Sequence, residues 1–251
     1  MTFNELDRIM RTYECSIDQV ISPEVFLLAR LDGHGFTRLT KKVYPLEAPF
    51  DERFRDMMIQ TAQQLMDCGF RVVYAYTQSD EISLLFHRDE NAFGRKVRKW
   101  NTILSGTASA AFSLQLGQIA VLDCRIIPLP DVERVQDYFL WRQEDANRNS
   151  LNAHCYWLLR KEGIAAREAS VQIEGVSIED KKALLLSRGI CFDDLPMWQR
   201  RGVGIYQTNL CKKGWNPLLQ KEEETLRRKI HVDFELPCGQ SYADLISSLI
   251  P

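Results

Sequence analysis

The sequence predicts an α+β protein whose first half follows the order β-α-β-β-α-β, the split βαβ or ferredoxin-like unit, with a mostly helical C-terminal extension. Three observations predict it: four short apolar or alternating runs, two long stretches at helical spacing between them, and Gly/Pro punctuation at the joints. Val25–Asp32 (VFLLARLD) reads as a buried strand leaving through Gly33-His34-Gly35. From Phe50 to Cys68, the residues Phe50, Phe54, Met57, Met58, Thr61, Leu65 and Cys68 share one helix face, and Gly69 follows as a C-cap. Arg71–Thr77 (RVVYAYT) and Glu81–Phe86 (EISLLF) read as two strands joined by a tight turn at Gln78-Ser79-Asp80. A second helix spans Arg95–Gln115 on Val97, Trp100, Leu104, Ala108 and Ala111, and Ile119–Ile127 is a fourth strand ended by Pro128 and Pro130. Right-handed crossovers give the strand order 4-1-3-2, with both helices on one sheet face and the other face free for a ligand or partner.

In the second half, Asp131 caps a helix to about Arg142, and Ser150–Lys161 forms another, closed by Gly163. Ser177 with Asp180 resembles a capping box before KKALLLSRG, and Gly202–Gln207 returns as a short strand. The charge run KEEETLRRK reads as a solvated helix face. Residues 1–130 are therefore read as the catalytic core and 131–251 as an extension packed on it.

The 251 residues carry 32 Lys+Arg against 34 Asp+Glu, which excludes a wholly basic nucleic-acid binder and leaves only a local basic patch. No apolar run approaches membrane-span length, and the polar N-terminus has no apolar signal core, so no membrane partner is expected. Seven scattered cysteines without a C-x-x-C pair, and four histidines without metal-binding spacing, argue for reduced structural cysteines in a cytoplasmic protein.

The predicted sheet makes two acids stand out. Asp32 ends strand 1 and Asp80 opens strand 3, its antiparallel neighbour, so the two meet at one sheet edge with Glu81 following, turned to the opposite face if the strand is already regular there. Like charges packed together need a cation, and Mg²⁺ takes one or two carboxylates plus phosphate oxygens. Two such ions stabilise the attacking and leaving oxygens of a phosphoryl transfer. The Gly33 carbonyl adds an oxygen ligand, and Gly33 and Gly35 let the chain approach a triphosphate. Each motif alone reads as an ordinary turn; their pairing raises the functional reading. Arg95, Lys96, Arg98 and Lys99 open the second helix, where Lys96 and Lys99 share a face suited to outer phosphates or to solvent. Arg142, Arg148, Arg160, Lys161, Lys181, Arg200, Arg201, Lys212 and Lys213 are further bases for an RNA backbone.

RLDGHGFTRLTKK, AYTQSDEISLLF and DYFLWRQEDANRNSLNAHCYWLL, in this order, resemble the tRNA-His guanylyltransferase family of 3′–5′ nucleotide-adding enzymes over roughly 24–207. The resemblance implies a polymerase-type palm using two Mg²⁺ ions to extend the 5′ end of tRNA. It implies activation of a 5′-monophosphate by ATP or GTP, then attack by the 3′-hydroxyl of an incoming nucleotide. By position it implies metal ligands at Asp32, Gly33 and Asp80, with Glu81 among the catalytic acids. Nucleotide contacts are implied at Asp32, Gly33, His34, Gly35, Phe36, Thr37, Ser79, Asp80, Lys96 and Lys99. RNA contacts are expected at Lys181, Asn149 and Arg142, and the family's quaternary state implies a homotetramer. The run Asn147–Ala153 keeps only Asn149 and Leu151 of the pattern in members specific for tRNA-His, with Asn147 replacing its histidine. That departure resembles the guanylyltransferase-like branch and implies templated repair of 5′-truncated tRNAs. Two other classes fit parts of the pattern. A nucleotidyl cyclase shares the paired acids, and a non-catalytic RNA-binding module could stack bases on Tyr74 and Tyr76, although both are read as sharing a face with Val72, which favours core packing.

Overall fold

A computed structural model describes residues 1–40, 46–216 and 221–251, with the side chains of 210–227 outside that description. Cys211, Lys212 and Lys213 therefore lie outside the described side chains. The strands β1 (Phe26–His34), β2 (Val72–Gln78), β3 (Glu81–Phe86), β4 (Val121–Leu129), β5 (Val203–Asn216) and β6 (Lys221–Asp233) form one sheet in the order β4-β1-β3-β2-β5-β6. All five pairings are antiparallel.

Asp51 caps α3 (Glu52–Met66), its carboxylate accepting from the Arg53 amide, and α4 (Val97–Leu116) ends on Gly117 at φ 72°. Both pack on one sheet face, where Leu27, Ala29 and Leu31 of β1 meet Met58, Leu65, Trp100 and Leu104. Those seven side chains are at most 2 % exposed, so this face is a closed core.

The opposite face is not free. It is covered by α5 (Val132–Lys161) and α9 (Gln240–Leu249), which bury Phe26, Leu28, Tyr74 and Tyr76 against Val135, Phe139, Tyr242 and Ile246. A register shift between Val72 and Tyr74 sends Val72 to the α3/α4 core and Tyr74 to the α5/α9 core, so the two do not share a face. The Tyr74 and Tyr242 hydroxyls hydrogen-bond at 2.9 Å. Buried in this way, Tyr74 and Tyr76 offer no platform for stacking bases.

Three further expectations are corrected. The two helices predicted around Arg142 and Ser150 are one 30-residue helix, α5, because the polar Asn147-Arg148-Asn149 stretch lies on its exposed side and does not interrupt it. Pro128 lies inside β4, whose position at the sheet edge tolerates a missing amide donor. The run KEEETLRRK forms most of β6, paired with β5 from Gly204↔Asp233 to Asn216↔Lys221. As the outermost strand it carries the charges that keep an open edge from pairing further.

The remaining helices are α1 (Phe3–Glu14), α2 (Phe36–Arg38), α6 (Ala166–Ile173), α7 (Ile178–Leu186) and α8 (Met197–Arg201). Ser177 caps α7 through the Asp180 amide, as its spacing predicts. Among the described residues no helix is long and apolar enough to cross a membrane.

Candidate active site

The register pairs Asp32 directly with Glu81 on β3 and with Asp123 on β4. Directly opposed residues share a face, so Asp123, Asp32 and Glu81 form an acidic row near the sheet rim, on the α5 side. Arg30, two residues back along β1, lies one step below. Its guanidinium is 3.5 Å from Asp32 and 3.8 Å from Glu81. Arg142 reaches down from α5 to pair with Glu81, and with Asp145 at 3.2 Å. Burial pushes the Glu81 carboxyl up, Arg142 and Arg30 pull it down, and the charges of Asp32 and Asp80 add to the rise.

Asp80 sits one residue before this row, in the two-residue connection from β2 to β3, where Ser79 takes a positive φ of 53°. The Ser79 hydroxyl donates to Asp80 Oδ1 at 3.0 Å, and the Asp80 carbonyl accepts from the Gly33 amide at 3.1 Å. Burial, and to a lesser degree the Asp32 charge, raise the Asp80 pKa against the Ser79 hydrogen bond. The structure brings Asp32, Gly33 and Asp80 to one rim, but Glu81, expected on the opposite face, stands directly beside Asp32 on the α5 side, because the register pairs the two across β1 and β3.

Beside Asp80 opens a cavity of about 470 Å³, within the range of small-ligand sites. Phe36, Thr37, Ser79 and Asp80 line it with Thr77 and Gln78 of the same motif, together with residues no motif singled out, Asp51, Arg55 and Trp198, with Trp157, quoted only within the family resemblance, and with Phe50 and Phe54, read only as helix-face residues. The Phe50 and Trp198 rings meet edge-on at 5.8 Å, and the Arg55 guanidinium lies 4.7 Å over the Trp198 ring. Asp51 is buried and saturated. Oδ1 accepts from the Arg53 amide and Nε, and Oδ2 from the Glu47 amide and Arg53 Nη2, at 2.6–3.0 Å. The Arg53 contact, ahead of the backbone donors, holds the Asp51 pKa down at about 2. The scattered placement of these residues in sequence explains why spacing alone missed them. Only the Pro49-Phe50-Asp51 step before a helix carried a local signal.

His34 is exposed at the end of β1, and Gly35 turns the chain at φ 71° into α2. Phe36 is folded into the core, and a Cβ on Gly33 would meet its ring at 2.5 Å. The close approach at Gly33 is thus to the Phe36 ring, while nothing stands within 4 Å of a Cβ on Gly35. Lys96 and Lys99 stand elsewhere. Arg95 donates to the carbonyls of Ser22 and Val25, and the Val97 amide to Gln19, which fixes the start of α4 beside the start of β1. Asp32 lies at the far end of that strand, roughly 20 Å away at 3.3 Å per residue. Lys96 Nζ instead pairs with Asp18 at 3.2 Å. Of the expected RNA contacts, Arg142 is buried in its ion pairs, Asn149 is exposed on α5 with its amide donating to Asp145 at 3.1 Å, and Lys181 is half-buried on α7.

Among the described residues no group of three or more His, Cys, Asp or Glu side chains is arranged to hold a metal ion. Asp32 and Asp80 with the Gly33 carbonyl offer the smaller oxygen set that Mg²⁺ uses when substrate phosphates complete its shell; Arg30 stands 3.5 Å from Asp32, whereas burial, and less so the Asp32 charge, raise the Asp80 pKa. The donor set fits that ion.

The chain matches the family model for tRNAHis guanylyltransferase over residues 7–130 and the Thg1 C terminal domain over 133–238. It is 30% identical to a probable tRNA(His) guanylyltransferase of Drosophila melanogaster over 74% of this chain and 68% of that protein. It is 27% identical to its Dictyostelium discoideum counterpart over 91% and 93%. Among solved structures, a bacterial tRNA(His) guanylyltransferase-like protein in complex with ATP superposes with a TM-score of 0.75, at 23% identity over 98% of this chain and 99% of that one. By both family models and the Drosophila melanogaster relative, the chain belongs to the tRNA-His guanylyltransferase family of nucleotidyltransferases.

Proposed function

We propose that this protein adds nucleotides in the 3′–5′ direction to the 5′ end of tRNA. The observation that carries the reading is the position of Asp80. It feels the charge of Asp32, is tied to Gly33 through its own backbone, and lines the aromatic cavity. A base held between Phe50, Trp198 and Trp157 would extend its phosphates toward that acid pair. In the first step an oxygen of the RNA 5′-monophosphate attacks the α-phosphorus of ATP or GTP and releases pyrophosphate. In the second the 3′-hydroxyl of an incoming nucleoside triphosphate attacks the RNA 5′-phosphorus and releases the nucleoside monophosphate. Asp32, Asp80 and the Gly33 carbonyl would hold Mg²⁺, which supplies charge neutralisation at the phosphates. Thr37 and Ser79, which line the cavity, would orient the activating nucleotide. Arg30 and Arg142 pair with Glu81 behind the two acids.

The four strands β4-β1-β3-β2 and their two covering helices support reading residues 1–130 as a ferredoxin-like, polymerase-type palm, with 131–251 as the extension that walls the cavity through Trp157 and Trp198. Lys96 and Lys99, too far from Asp32 within one chain, would reach a triphosphate only from a second copy, in keeping with a homotetramer. The altered family pattern at Asn147 supports templated repair of shortened tRNAs in the cytoplasm over strict guanosine addition to tRNA-His, with Asn149 and Lys181 as RNA contacts.

The test is incubation with 5′-shortened, 5′-monophosphorylated tRNA, Mg²⁺, ATP and the four nucleotides, followed by sequencing of the product. Templated extension supports the reading. Guanosine added regardless of the opposite base would indicate tRNA-His maturation, and a cyclic nucleotide formed without RNA would indicate a cyclase.

A further inference from the structure

One histidine stands behind the aromatic wall of the cavity without lining it. His154 lies on α5, three residues before Trp157. Its ring is 5.4 Å from the Phe50 ring at 34°, and 6.2 Å from Phe192 at 75°. Its Nε2 is hydrogen-bonded to Gln199 Oε1 at 3.1 Å. Gln199 follows Trp198 on α8, and Trp198 meets Phe50 edge-on. One imidazole therefore braces Phe50 through ring contact and α8 through a hydrogen bond. These two elements approach the cavity from distant parts of the chain, and neither is tied to the acid pair by strand pairing. The position is half-buried, and burial lowers the His154 pKa, which keeps the ring neutral. An aliphatic side chain would fill the same space but could not both stack and anchor α8.

We propose that His154 is a positioning residue of the nucleotide cavity: it fixes Phe50 and Trp198 as walls for the base of the activating nucleoside triphosphate, and so governs use of that nucleotide without touching it. The proposal rests on the cavity being the activating-nucleotide site. It assigns His154 to the activation step alone, because the acid pair is held by the β1–β3 pairing and the Gly33–Asp80 hydrogen bond, which His154 does not contact.

The experiment compares two RNAs of one sequence. A 5′-monophosphorylated RNA needs activation, whereas a 5′-triphosphorylated RNA already carries pyrophosphate as leaving group. His154→Ala should raise KM for ATP on the first RNA about five- to tenfold, the size of a lost ring contact plus hydrogen bond. Its kcat at saturating ATP, and its extension of the triphosphorylated RNA, should stay near wild type. His154→Phe keeps the ring contact and should restore most of the ATP affinity. Gln199→Ala should shift KM in the same direction by less, and it serves as an independent variant if His154→Ala folds poorly. An unchanged KM in both His154→Ala and Gln199→Ala overturns the proposal. So does an equal loss on the two RNAs that His154→Phe fails to repair, which would make the residue merely structural. If the wild-type protein itself extends only the triphosphorylated RNA, the activating-nucleotide reading of the cavity falls, and the proposal with it.

Discussion

The Gly33 amide donates to the Asp80 carbonyl at 3.1 Å, which locks the last steps of β1 to the turn that opens β3. This backbone bond, rather than any side-chain contact, brings Asp32 and Asp80 to one rim. Asp32→Asn or Asp80→Asn should therefore leave the fold intact while removing nucleotide addition, with a rate loss of at least about a hundredfold if the pair holds metal. The thermal midpoint of Asp80→Asn should stay level or rise slightly, because the Asp32 charge raises the Asp80 pKa, whereas Asp32→Asn also gives up the Arg30 ion pair and should lower it slightly. Rates and melting curves on the same preparations check this, and near-wild-type turnover in either variant would remove the acid pair from the chemistry.

Gly33→Ala makes the complementary case. The added Cβ would strike the Phe36 ring at 2.5 Å, and that ring is 3 % exposed and packed on Phe54 and Phe112. Core overpacking of this kind costs about 1–3 kcal/mol. Differential scanning should show a midpoint lower by about 2–12 °C for a chain of this size, with activity falling alongside it.

The acid pair was legible in the sequence because two turn motifs fell at ends of strands that the β-α-β-β-α-β order makes neighbours. The cavity was not. Its walls come from Phe36, Phe50, Trp157 and Trp198, which sit in four separate segments and meet only through tertiary packing. The covered second sheet face was likewise hidden, because α5 reads as two helices wherever polar Asn147–Asn149 is taken as a break. Periodicity cannot distinguish an exposed stretch of a long helix from a loop. The KEEETLRRK strand defeated composition for a related reason. A charged run suits a solvated helix and a protected sheet edge equally well, and only the presence of β5 as partner decides between them.

Asp51 yields a pH prediction. Its folded pKa is depressed from 3.8 to about 2, mainly by Arg53. A depressed carboxylate contributes stability that is fully present above its unfolded pKa and is lost as pH falls through the folded value. Here the window runs from about pH 4 down to about 2, and the contribution at neutral pH is about 2 kcal/mol. Asp51→Ala should therefore lower the midpoint at pH 7 by about 4–8 °C and flatten the acid-side slope of stability against pH below 4. Parallel urea titrations of both proteins from pH 7 to pH 2 measure it. A constant difference across that range would mean that Asp51 acts only through its uncharged helix-capping hydrogen bonds.

Arg142 separates two roles by a simple comparison. Its side chain is 8 % exposed and pairs with Glu81 and Asp145. Removing one partner of a pair buried this deeply leaves charges uncompensated, at a cost of about 3 kcal/mol. Arg142→Ala should lower the midpoint accordingly, and Glu81→Gln in the same chain should recover part of the loss. An RNA-surface arginine would behave differently, weakening tRNA binding in a filter assay with no change in melting.

Lys96 carries the most distinctive prediction, because geometry sets it against the site it was expected to serve. It is fixed at the start of α4 by the Arg95 and Val97 backbone bonds and paired with Asp18, at the opposite end of β1 from Asp32. If Lys96 binds triphosphate, it does so at the site of a neighbouring copy. Lys96→Ala and Asp32→Ala should then each be poorly active alone yet complement when mixed, since some mixed oligomers bring an intact acid pair to an intact lysine. Random association of equal amounts would restore roughly a quarter of the sites. The assay is extension of 5′-shortened tRNA by each variant alone and after refolding or co-expression together. Activity that never exceeds the average of the separate variants would show that Lys96 serves no neighbour, leaving it as the clasp that holds Asp18 and the segment entering β1.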